Sequence, residues 1–181
     1  MWMHNGNIAH WTHVKRALAV DVGGRWFNAV HGNTDSEWAF ALFLDSMEKE
    51  GLDPDCVDYL SNGFGHISLR KALLRTIERI NGLVDAARDS DQSGVPSIER
   101  SLLNFAITDG HSVVCTRYVN SRTDEAASLY FSSGTNWTFT GESGQYRMER
   151  KDKGADIVLV ASEPLTFERG KSLSNCTLEI H

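Results

Sequence analysis

The sequence predicts an α+β fold, with helices gathered in the first half and antiparallel strands in the second. Over residues 67–87, Leu69, Leu73, Ile77, Ile80, Val84 and Ala87 recur at intervals of four, four, three, four and three. That is the spacing of one face of a long amphipathic helix. Beyond residue 100 the period falls to two: Leu103, Phe105 and Ile107 alternate with Asn104, Ala106 and Thr108. Asp109-Gly110 then supplies a type I′ turn and residues 113–118 return, which makes a hairpin. Residues 89–96, rich in Ser, Asp and Gly with one Pro, form a surface loop too short to mark a domain boundary. Residues 1–181 are therefore read as one domain.

Taken in order, the chain starts with a short apolar lead-in, Trp2-Met3, which reads as the end of a buried strand running into Asn5-Gly6. By itself that pair signals a tight turn, because both residues tolerate positive φ. Residues 11–20 form a short helix with Thr12 as N-cap and Gly23-Gly24 as its stop. Residues 26–30 are strand-like. A second helix opens at Thr34, with Glu37 completing a capping box and Asp35 in the first turn. Its run of seven apolar residues, 38–44, is too wide for one surface stripe, so this helix should be packed on most sides. Residues 47–51 end it in a charged, solvated turn. Further strands are expected at 128–132, 145–149, 156–161 and 176–180. Residues 157–160 are apolar throughout, as in a strand covered on both faces.

Composition limits the function classes. Apolar residues make up 41% and charged residues 23%, which is ordinary for a globular protein of 181 residues. A net charge of −6, from 24 acids against 18 bases, gives no basic footprint for nucleic acid or an anionic membrane. No apolar run approaches the roughly 20 residues that span a bilayer, and the first residues lack the charged, apolar and small-residue regions of a signal peptide, so a cytoplasmic location is expected. Cys56, Cys115 and Cys176 have neither metal-type nor redox-type spacing and are expected to be reduced; the sequons at Asn136 and Asn175 then carry no meaning. His4, His10 and His13 lie within ten residues, and His10 and His13 could share a helix face. No Cys or Asp completes a ligand set beside them, so neither metal nor cofactor is expected.

Two stretches taken together point to a chemistry. His4-Asn5-Gly6-Asn7-Ile8 and Gly32-Asn33-Thr34-Asp35-Ser36-Glu37 resemble the two downstream signatures of class II glutamine amidotransferase domains, the N-terminal-nucleophile hydrolases. Ala161-Ser162-Glu163-Pro164-Leu165-Thr166 resembles the same group, most closely its fungal branch acting on γ-glutamyl peptides such as glutathione. The resemblance covers nearly the whole chain. It implies a four-layer αββα sandwich and hydrolysis of a γ-glutamyl amide to glutamate.

Family members begin with a cysteine whose thiol attacks the γ-carbonyl while its α-amine handles the proton, and they carry an Arg-bearing segment well before the Asn-Gly pair. This chain opens with Met1-Trp2 and reaches Asn5 at once, so it reads as an N-terminally truncated, incomplete domain without its nucleophile. Met1 offers no substitute, because a thioether forms no thiolate. Carried over by resemblance, Asn5 supplies its side-chain amide and Gly6 its backbone N–H as the oxyanion hole, and Asp35 receives the α-ammonium of the γ-glutamyl group. Asp35 is equally at home as a first-turn acid favoured by the helix dipole. Glu163 could border the site or simply be a surface acid. The implied partner is a small γ-glutamyl substrate; assembly with a separate protein subunit carrying the cysteine half is a further possibility that nothing in the sequence supports beyond the need for a nucleophile. The alternative is a non-catalytic γ-glutamyl-binding or regulatory module.

Overall fold

The computed structural model describes residues 1–56, 62–90, 99–139, 141, 146–149, 156–164, 171–172 and 177–180. Four helices, α1 (Trp11–Asp21), α2 (Gly24–Phe27), α3 (Asp35–Lys49) and α4 (His66–Ser90), follow strand β1 (Trp2–Asn7). The strands after them are β2 (Leu102–Thr108), β3 (Val113–Thr116), β4 (Tyr130–Gly134), β5 (Asn136–Phe139), β6 (Tyr146–Glu149), β7 (Ile157–Ala161), β8 (Lys171–Ser172) and β9 (Thr177–Ile180). One sheet has the order β1-β2-β3-β9, a second β7-β4-β8, and β5 pairs with β6; the described pairings are antiparallel. The α+β class is as the hydrophobic periods predict.

The core lies between the helices and the first sheet. Val14 and Leu18 of α1, Leu42 and Phe43 of α3, Leu73, Ile77, Ile80 and Val84 of α4, and Leu103, Phe105, Ile107 and Val114 of the sheet are buried in one cluster. The wide apolar run of α3 explains itself here: Trp38, Ala39, Ala41, Leu42 and Phe43 are all buried. Trp2 fastens β1 to this layer, its ring lying 4.6 Å from Phe105 and 5.5 Å from both Phe40 and Phe43. The three helices are also joined by charge. Asp45 of α3, 5% exposed in its side chain, pairs with Lys49 at 2.8 Å and Arg79 of α4 at 2.7 Å, and Arg79 reaches Asp21 of α1. Burial pushes the Asp45 carboxyl up, but Lys49, Arg79 and the Gly23 N–H together outweigh it and hold the group below the usual carboxylate range.

Several expectations are corrected. Asn5-Gly6 is not a turn: both residues lie inside β1, which is an edge strand of its described sheet and largely exposed rather than buried. Residues 26–30 are not a strand. Gly23 carbonyl accepts from Trp26 and Phe27 to form α2, which buries Trp26 and lets its Nε1 donate to Glu48 at 2.8 Å. Thr12 is not the cap of α1; His10 is, in a left-handed conformation without a side-chain cap bond. His10 therefore stands outside the helix face assigned to it with His13.

The capping box at α3 is half present. Thr34 Oγ1 accepts from the Glu37 N–H at 3.3 Å, but Glu37 turns its own carboxylate to the His31 N–H. Met47, placed by sequence in a solvated turn, is buried within α3. The β2–β3 turn is not type I′, which would need positive φ at Asp109. Thr108 pairs with Val113 across a four-residue loop, where Asp109 accepts from His111, Ser112 and Phe64. Strand β4 begins two residues later than expected, and β5 was not foreseen. Residues 157–160 are not covered on both faces: β7 is an edge strand of its described sheet, with Val158 36% exposed. Asp89 and Ser90, expected in the surface loop 89–96, are the last residues of α4; residues 91–96 of that loop, together with Gln145, Leu165, Thr166, Asn175 and Cys176, lie outside the described residues.

Candidate functional site

Strand β1 decides what the Asn5-Gly6 pair presents. Met1 exchanges two bonds with Thr108, its ammonium donating at 2.7 Å and its carbonyl accepting at 3.0 Å. In an antiparallel ladder, bonded and non-bonded pairs alternate, so Met3, Asn5 and Asn7 face β2 with their backbone polar groups. The N–H groups of His4, Gly6 and Ile8 therefore point outward along the open edge. Leu103, opposite Gly6, agrees: its N–H turns away from β1 to Tyr118 carbonyl at 2.9 Å.

Only glycine fits the sixth position. Its φ is +155°, and a Cβ there would stand 1.8 Å from the Leu102 carbonyl oxygen. The close approach of two backbones, not a turn, is what requires it.

Asp35 sits on this same edge. One carboxylate oxygen accepts from the Ile8 N–H at 2.9 Å, and the other lies 3.3 Å from the Ser36 hydroxyl. Gly6 and Ile8 N–H groups on one side of a strand are about 6.6 Å apart, at about 3.3 Å per residue. The Asp35 carboxylate thus lies at the N–H two residues beyond that of Gly6. Asp35 is half-buried and Gly6 exposed.

Asn5 projects to the other face of β1. There a cleft of about 430 Å³ opens between the sheets, lined by Met3, Asn5, Asn104, Ala106, Leu129, Val160 and Ser162 among others. Gly6 and Asp35 do not line it. The structure thus brings Gly6 and Asp35 to one edge and sets Asn5 at the mouth of the neighbouring cleft. Ser162, from the third motif, borders the same cleft; Glu163 beside it is exposed. A larger groove of about 610 Å³ lies between the end of α3 and the first half of α4, where Glu50 pairs with Lys71 and Arg75, and Asp21 with Arg79.

His4 and Ser36 are the residues that motif reading left without a role. His4 Nε2 lies 3.1 Å from the Leu102 carbonyl, Nδ1 lies 2.9 Å from Ser36 Oγ, and the ring packs 4.7 Å from Phe105. Burial lowers the His4 pKa, opposed by the Leu102 carbonyl and by Asp35. Ser36 carbonyl also accepts from Trp2 Nε1 at 3.1 Å. The first turn of α3 is therefore tied to β1 at Trp2 and His4 and to Ile8 just beyond its end. The one sequence signal for this was that His4 and Ser36 each stand inside a motif, next to a residue with an assigned role.

Among the described residues no group of three His, Cys, Asp or Glu side chains could hold a metal ion. Cys115 is buried in β3, and burial pushes its thiol up to about 11. Cys56 is half-buried in the loop after α3, and Cys176 lies outside the described residues. Among the described residues no helix is long and apolar enough to cross a membrane.

No family model matches the chain. "Probable glutamine amidotransferase DUG3" of Saccharomyces cerevisiae is 48% identical over 169 residues, covering 93% of this chain and 45% of that protein. The chain therefore spans less than half the length of this relative. A solved glutamine aminotransferase class-II domain protein from Silicibacter pomeroyi superposes with a TM-score of 0.60 at 22% identity, over 99% of this chain and 62% of that one, a likeness of fold. With the motifs in place on β1 and at the start of α3, the chain belongs with the class II glutamine amidotransferase domains.

Proposed function

We propose that this domain hydrolyses a γ-glutamyl amide, in glutamine or in a γ-glutamyl peptide such as glutathione, as part of a complete N-terminal-nucleophile hydrolase. The observation that carries the reading is the shared edge. The outward N–H of Gly6 and the Asp35 carboxylate at the Ile8 N–H are spaced to take the two ends of a glutamyl group. In this reading the Gly6 N–H and the Asn5 amide receive the developing oxyanion, and Asp35 holds the α-ammonium. Such donors act because they are already oriented where charge appears, and losing one costs on the order of 10²- to 10³-fold in rate.

Neither described cysteine is suited to serve as the nucleophile. Cys115 is buried with a raised pKa, the opposite of an activated thiol, and Cys56 follows the far end of α3. The 181-residue chain alone is therefore expected to release no glutamate above background. We further propose that the two sheets are the inner layers of a four-layer αββα sandwich, which the helices on one face of the first sheet and the cleft between the sheets support. A cytoplasmic setting and a role in glutathione breakdown belong to the same proposal and rest on the motif resemblance.

The test is glutamate release from glutamine and glutathione by a full-length relative, with Asp35→Asn and Gly6→Ala at the corresponding positions. A large rise in KM for Asp35→Asn supports the assignment. Unchanged KM defeats it, as does glutamate release by the 181-residue chain on its own.

A further inference from the structure

The hydrogen-bond chain behind Asp35 contains one proton too few for its acceptors. Leu102 carbonyl can only accept, so the 3.1 Å contact requires a proton on His4 Nε2. The Ser36 hydroxyl has a single proton and two neighbours for it: His4 Nδ1 at 2.9 Å and the Asp35 carboxylate at 3.3 Å. It serves one at a time. While His4 is neutral, its bare Nδ1 takes the serine proton, and that Asp35 oxygen is left open. When His4 is protonated, Nδ1–H donates to Ser36 Oγ and the serine proton turns to Asp35.

We infer that His4 and Ser36 are positioning residues that set the accepting state of Asp35: neutral His4 holds the serine proton away and leaves one carboxylate oxygen undiluted for a cationic ammonium, and protonated His4 turns that proton onto the oxygen, which then shares its charge between two donors. The inference rests on the assignment of Asp35 as the ammonium holder. The Ile8 N–H already donates to the other Asp35 oxygen, so with His4 neutral the oxygen near Ser36 carries no donor from this chain and holds the larger share of acceptor capacity for a ligand.

The groups facing His4 are few. From α3 they are Ser36 and the charged Asp35; from β2 they are the Leu102 carbonyl and the Phe105 ring. Burial favours the neutral imidazole, which is the binding-competent state. Ammonium binding and His4 protonation then oppose each other, and linkage makes the effect reciprocal: bound ligand must lower the His4 pKa by as much as protonation weakens binding.

The experiment has two arms on the 181-residue chain. In the first, nitrogen-15 NMR of the imidazoles reads the His4 tautomer at pH 8, in the wild type and in Ser36→Ala. The expected result is one tautomer, Nε2–H, in the wild type and a tautomeric mixture in Ser36→Ala. An Nδ1–H tautomer, or one unaffected by Ser36→Ala, overturns the inference whether or not ligand is retained.

In the second arm, calorimetry measures L-glutamine against its desamino analogue 4-carbamoylbutanoate, for the wild type, His4→Phe and Asp35→Asn. His4→Phe keeps a ring against Phe105 but removes Nδ1, so the serine proton turns to Asp35. Glutamine affinity should fall severalfold, because the ammonium then shares the oxygen with the Ser36 O–H, while the analogue is unaffected. Equal losses for both ligands, or none, overturn the inference. Unchanged glutamine affinity in Asp35→Asn, or no glutamine binding by the wild type, instead counts against the ammonium assignment beneath it, and the tautomer arm still decides the proton's direction.

Discussion

Replacing Gly6 with alanine isolates the contact that fixes β1 on β2. The new Cβ would stand 1.8 Å from the Leu102 oxygen and 2.6 Å from its carbonyl carbon, both backbone atoms that no rotamer change moves aside. A φ of +155° is also a conformation that alanine rarely adopts, a strain of about 1–3 kcal/mol. Relief requires the strands to part at Gly6 and Leu103, which pulls the Leu102 carbonyl from His4 Nε2 and forfeits about one further hydrogen bond, roughly 1 kcal/mol. Displaced ladder contacts bring the total to roughly 3–5 kcal/mol, among the larger single-residue effects. At roughly 2–4 °C per kcal/mol for a domain of this size, Tm should fall by roughly 6–20 °C. Thermal unfolding followed by circular dichroism, with the urea midpoint as a second probe, measures it. Gly6→Ala melting within about 2 °C of the wild type would refute the close-approach reading and return the Asn-Gly pair to an ordinary flexible segment.

Other expectations follow from buried charge and from the thiols. Asp45→Asn should destabilise by roughly 3 kcal/mol at neutral pH, because Arg79 loses its buried anion. The native Asp45 carboxyl lies below its unfolded value, so its contribution is fully present above about pH 4 and is lost as pH falls through the folded value. Urea titrations of wild type and variant should therefore differ at pH 7 and converge toward pH 2. Cys115 should react with iodoacetamide much more slowly than Cys56 in the native protein and at a similar rate in urea, read by peptide mass spectrometry; equal native rates would contradict its burial. Trp26→Phe should cost roughly 1–2 kcal/mol, chiefly through the Glu48 carboxylate it leaves without its indole donor, and equilibrium unfolding checks it.

The long periodic elements were legible because burial alone determines them. The spacing along α4 and the alternation along β2 each describe one buried face, and the core follows from them. Local signals failed where a distant group changed the balance. Trp26 and Phe27 favour a strand by propensity, yet Glu48 supplies an indole acceptor and Gly23 a carbonyl, and the backbone turns helical. Asp109-Gly110 carries the composition of a two-residue turn. Phe64, 45 residues away, instead recruits the Asp109 carboxylate into a wider loop. The apolar run at 157–160 gave no sign that β7 would lie at an edge, because strand order is a property of the whole sheet. The motif residues were found by resemblance, but their arrangement was not: nothing in Asn5-Gly6 says that the glycine serves a backbone contact.

Strand parity is the property on which the candidate site turns. Because side chains alternate with a period of two, shifting β1 by one residue against β2 would exchange every inward and outward group at once. Asn5 would leave the inter-sheet cleft, Trp2 would lose Phe105, and the Gly6 N–H would turn into the ladder. Two features oppose that slip from opposite ends of the strand. Trp2 is held among Phe40, Phe43 and Phe105, and Gly6 is the one residue that fits against the Leu102 carbonyl. Between them, His4 joins Leu102 of β2 to Ser36 of α3, so register and helix position are fixed together. The glycine that frees an outward N–H, and the acid that caps the next outward N–H, are thus set by the same constraint. A substitution that loosens β1 should therefore impair substrate holding and oxyanion stabilisation together, whereas Asp35→Asn should impair only the first.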